Sequence, residues 1–126
     1  MPPAWRLEPV GNGGRMRALT YDQAVEVGLE PRDYAYESVS GEFEAVLDFK
    51  VWGKSVNLQC FFTVPATGER FRVSAFREDG KHYTPKDGRI DFSEEGLEGG
   101  LYRLTIGQNK RGRAAWLGAE LLRNPV

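Results

Sequence analysis

The sequence predicts a mainly β domain with a short N-terminal helix and a long connection between its third and fourth strands. Three observations predict it. From Gly41 to Phe76, apolar residues recur at every second position over three successive runs, which is the period of half-buried strands. A helical pattern is confined to one stretch after Thr20. The chain has 126 residues, 40% of them hydrophobic and 28% charged. That suits one soluble domain with a core of its own.

Residues 1–18 are rich in Pro and Gly and read as a flexible or loosely packed segment, with "GNGG" at Gly11–Gly14 as a joint. Trp5, Leu7 and Val10 are its available anchors. Residues 19–126 read as the single domain. In "TYDQAVEVG", Thr20 is placed to cap a helix and Asp22 sits in the first turn, where the dipole favours an anion. Gly28 suits the position just past the helix end, and Pro31 stops it.

Strict alternation through "GEFEAVLDFKVW" assigns Phe43, Ala45, Leu47, Phe49 and Val51 to one face. Glu44, Val46, Asp48, Lys50 and Trp52 fall on the other. The second strand sets Val56, Leu58, Cys60, Phe62 and Val64 against Asn57, Gln59, Phe61 and Thr63. The third buries Phe71, Val73 and Ala75 and leaves Arg70, Arg72, Ser74 and Phe76 outside. Tight turns make the three an antiparallel meander. The connection that follows holds turns at Asp79-Gly80 and Asp87-Gly88, a brief strand at Arg89–Phe92 and one helical turn capped by Ser93. "LYRLTIG" and "AAWLGAELL" form a closing hairpin around "QNKRGR", with Ile106 and Leu117 inside.

Five strands interrupted between the third and fourth resemble, in architecture alone, a small antiparallel Greek-key barrel of the OB type. The fold expected for residues 19–126 is therefore an OB-like β-barrel. The runner-up is another small antiparallel barrel or half-barrel with the helix on an open end.

The formal net charge is −1, so the molecule as a whole has no pull on nucleic acid or membrane. Residues 1–45 carry four cations and eight anions, and residues 46–126 carry thirteen and ten. Cys60 is the single cysteine and His82 the single histidine, which excludes an intramolecular disulfide and disfavours a Cys/His metal centre. A reducing, cytoplasmic setting fits, and no apolar run is long enough to span a bilayer. No cofactor or metal is expected.

Function is sought on the face left over after the core is assigned. It gathers Lys50, Trp52, Phe61, Arg70, Arg72, Arg103 and Trp116, with Lys110, Arg111 and Arg113 in the last hairpin loop. Aromatic platforms interleaved with cations suit single-stranded DNA or RNA: bases stack on rings, and cations follow phosphates. The first expectation is thus a binding module for single-stranded nucleic acid with low sequence specificity. The structural alternative has Trp52, Phe61 and Phe76 packed beneath the connection or the N-terminal segment. The alternative function is a protein-interaction or regulatory module without catalysis, for which Trp5, Tyr34 and Tyr36 are candidate anchors. An enzyme using Glu42, Glu44, Asp48, Asp91 or Glu94 as acid and base is the third possibility. Exposure of Trp52, Phe61 and Trp116 discriminates between the first two.

Overall fold

The computed structural model describes residues 18–36, 40–53, 57–76, 83–108 and 114–125. One helix, α1 (Tyr21–Glu26), is followed by a 3-10 turn at Pro31–Asp33. Six strands follow: β1 (Ala35–Tyr36), β2 (Gly41–Trp52), β3 (Asn57–Thr63), β4 (Arg70–Phe76), β5 (Leu101–Gln108) and β6 (Ala114–Arg123). They form one sheet in the order β1-β4-β3-β2-β5-β6. The five long strands pair antiparallel, as expected. The sixth, β1, is a two-residue parallel addition at the β4 edge, too short to leave a periodic signal. No ladder joins β6 to β1 or β4 among the described residues, so the sheet is not closed. None of the described helices is long and apolar enough to cross a membrane.

The helix starts and stops where its sequence indicates. Thr20 Oγ1 accepts from Gln23 N, and Gln23 Oε1 accepts from Thr20 N, a complete capping box. Gly28 lies just beyond the helix with φ of 89°, in the left-handed region that glycine enters without a Cβ clash. Ala24 is the helix residue that is buried.

The decisive departure from alternation is in β2. Leu47 pairs with Phe62 and Phe49 with Phe61, so Asp48 is an extra residue, a β-bulge. One added residue moves every later side chain to the opposite face. Ala45 and Leu47 enter the main core with Leu58, Cys60, Phe62, Phe71, Phe92, Tyr102 and Trp116. Past the bulge, Phe49 and Val51 turn the other way and form a second core with Ala24, Tyr34 and Phe61 beneath α1. The expectation that Phe49 and Val51 share a face with Leu47 is corrected by this bulge.

A second irregularity lies in β6. Thr105 pairs with Gly118 and Ile106 with Trp116, leaving Leu117 as the extra residue. Trp116 consequently packs inside while Leu117 is exposed, the reverse of the inward placement expected for Leu117.

Residues 83–100 of the connection from β4 to β5 run as a strap over the main core. Thr84 bridges to Phe76 on β4. Lys86 N and Asp87 N donate to the carbonyls of Trp116 and Leu117 on β6, at 3.1 and 2.9 Å. The strap thus touches both edges that a closed barrel would join. Neither the brief strand at Arg89–Phe92 nor the helical turn from Ser93 forms. Asp91 Oδ1 instead accepts from Tyr83 N, Ser93 N and Ser93 Oγ, so the Ser93 hydroxyl is used within an Asp-centred turn.

Candidate functional site

Of the ten residues proposed from sequence, the seven that lie among the described residues do not share one exposed face. Lys110, Arg111 and Arg113 lie outside the described residues. Lys50 and Trp52 follow the Asp48 bulge onto the side of the main core: Lys50 is fully buried, while Trp52, 39% exposed, meets the Tyr83 ring edge-on at 5.0 Å. Phe61 is fully buried, stacked on Phe49 at 4.4 Å and met edge-on by Tyr34 at 5.2 Å. Trp116 is 5% exposed, lies 4.6 Å from the Phe92 ring, and donates Nε1–H to the Gly118 carbonyl at 3.0 Å.

Of the remaining described cations, Arg70 and Arg103 are exposed and Arg72 is half-buried. Arg70 covers the Tyr34 ring at 5.7 Å, and Arg72 covers Phe61 at 5.4 Å. Arg103 stands between Glu44 on β2 and Glu120 on β6 in the pairing register, with its guanidinium 3.4 Å from the Glu120 carboxylate. Exposed pairs of this kind add little stability, but they place negative charge beside the cation.

Two polar clusters were not foreseen. At the bulge, Asp48 Oδ2 accepts from Tyr34 Oη at 2.8 Å and from the Thr63 hydroxyl. Burial pushes the Tyr34 hydroxyl well above the usual tyrosine range, and the Asp48 hydrogen bond adds to this. The phenol therefore acts as a donor and pins the 3-10 turn to the sheet.

The second cluster is inside the main core. Lys50 Nζ donates to the carbonyls of Phe92 at 2.6 Å and Glu94 at 2.7 Å. It also lies 3.0 Å from Glu98 Oε1, with side-chain exposures of 0% and 3% for the two residues. Burial raises the Glu98 carboxyl pKa, and the Lys50 ammonium opposes part of that rise. Burial likewise raises Cys60, directly across the ladder from Lys50, and Tyr102. Alternation placed Lys50 outside because nothing in "AVLDFKVW" announces a bulge. The nearest local signal is the lone Asp48 at its centre.

The acids are spread among separate tasks. Asp48 holds hydroxyls, Asp91 closes a turn, Asp87 Oδ2 accepts from Ala119 N, and Glu98 pairs with Lys50. No group of three or more His, Cys, Asp or Glu is arranged to hold a metal among the described residues. Comparison with known proteins yields no match to any family model, curated protein or solved structure.

Proposed function

We propose that this chain is a protein-interaction or regulatory module without catalytic activity, carried on an OB-like curved sheet. The observation that supports this reading is the burial of Phe61 and Trp116, two of the three rings that a base-stacking face would need. Arg103, flanked by Glu44 and Glu120, weakens the phosphate track further. Apolar side chains are instead presented separately: Tyr21 and Val25 on α1, Trp52 at the end of β2 and Phe76 at the end of β4. Large apolar and aromatic side chains of this kind are the usual anchors of protein interfaces. The strap that bridges both sheet edges supports the OB-like reading of the architecture. A pull-down with the full chain tests the function. A stoichiometric protein partner is expected, and recovery of nucleic acid alone would count against it.

Arg70 and Arg72 favour a second reading, single-stranded DNA or RNA binding. They stand two residues apart on the outer face of β4, each over a ring. Fluorescence titration with a labelled oligonucleotide at low and moderate salt tests it. Absence of binding at tens of micromolar in low salt would remove it.

A further inference from the structure

The side of the sheet that carries α1 is divided in two by charge. Arg70 and Arg72 lie over the Tyr34 and Phe61 rings, and both rings pack with Ala24 of α1 in the second core. The helix and the outward side chains of β4 therefore share one side of the sheet. On the helix half, residues 18–36 carry Asp22, Glu26, Glu30 and Asp33 against one cation, Arg32, and all five are exposed. None of the four acids forms an ion pair with a described residue. On the other half, β4 carries Arg70 and Arg72 and no acid.

Each half also presents apolar surface. Tyr21 and Val25 stand one turn apart on α1 and are exposed, while Ala24 is the helix residue turned to the core. Asp22 and Glu26 form the next row around the helix, so acids border the apolar pair. Phe76 is exposed at the end of β4. It shares a face with Arg70 and Arg72, because Phe71, Val73 and Ala75 alternate into the main core. Within one chain the two halves lie apart. The surface that complements an acidic, apolar half is the basic, apolar half of a second copy. Two-fold symmetry lays each half on its opposite, so that both contacts form at once.

We propose that two copies of this chain associate through this face, with α1 of each copy against β4 of the other. Tyr21 and Val25 then meet Phe76 of the partner subunit, and Asp22 and Glu26 meet Arg70 of the partner subunit. The pairing rests on the reading of this chain as an interaction module, and it names a second copy as the partner. It uses side chains that are already exposed, so the fold itself does not rearrange. Contacts between exposed charges are screened by salt, so the association is salt-sensitive.

Sedimentation velocity of the purified full chain, from micromolar to near-millimolar concentration at low and moderate salt, tests this. A monomer–dimer equilibrium that weakens with salt is expected. Arg70→Glu and Glu26→Lys each set like charges against one another in both contacts. Each is expected to raise the dimer dissociation constant by about tenfold or more. Mixing the two variants makes one contact of native charges and one of exchanged charges, both attractive, so a heterodimer near wild-type strength is expected. A wild type that stays monomeric throughout overturns the pairing, while the pull-down still tests for a different protein partner. Dimerisation that ignores both substitutions, or no heterodimer from two folded variants, overturns it as well. Where a variant does not fold, concentration-dependent amide shifts of the wild type decide. Shifts centred on Val25, Glu26 and Phe76 support this face, and shifts centred elsewhere overturn it.

Discussion

Lys50 shows how much one side chain can determine here. Its ammonium is fully buried, and its partners are two carbonyls and one carboxylate, all from the strap. Removing one member of a buried pair leaves the other uncompensated, at about 3–5 kcal/mol. Lys50→Ala is expected to lose stability of that order in urea unfolding. The double variant Lys50→Met/Glu98→Gln, which removes both charges and keeps the volume, is expected to lose clearly less. Asp48 is the other residue on which local order rests. Asp48→Ala would leave the Tyr34 and Thr63 hydroxyls without their acceptor. The expected loss is about 1–3 kcal/mol, read by the same unfolding measurement.

Among the elements, the two bulged strands set which residues meet. In β2 the bulge gives one strand two cores, serving the sheet interior up to Leu47 and the underside of α1 from Phe49 onward. Its far half also loses β5 as a neighbour, since that pairing spans Gly41 to Val46. Leu19 fills the vacated edge, donating to Lys50 O at 3.0 Å and accepting from Trp52 N at 2.8 Å. The strap depends on close approach at Gly118, where a Cβ would stand 2.8 Å from Asp87 Oδ2. Gly118→Ala is expected to displace that carboxylate from Ala119 N and lower stability by about 1 kcal/mol. Faster exchange at Lys86 and Asp87 than at β3 amides would accompany the loss.

For the molecule as a whole, the near-neutral charge and the dispersed acids leave binding as the reading to test. If the outer face of β4 engages phosphates, Arg70→Ala and Arg72→Ala are each expected to weaken oligonucleotide binding alike for all sequences. Each would also lower the salt slope by about one. An unchanged slope in both variants would locate any binding elsewhere. Arg103→Ala is expected to change little, because Glu44 and Glu120 already flank that cation.

By itself the sequence determined the local features: the capped helix ending at Gly28, the five long antiparallel strands, the meander and the closing hairpin. These rest on period, turn chemistry and capping, all of which act between near neighbours in the chain. The inward faces of β3 and β4 were equally legible, because no extra residue interrupts their alternation. Tertiary structure alone decided which side of the sheet received Lys50, Trp52, Phe49 and Trp116. One unpaired residue in β2 and two in β6 put the side chains before and after them out of phase, and such a residue has no period of its own. The partnership of Lys50 with Glu98 was hidden for the same reason. It joins residues 48 positions apart, brought together only when the strap crosses the interior of the curved sheet.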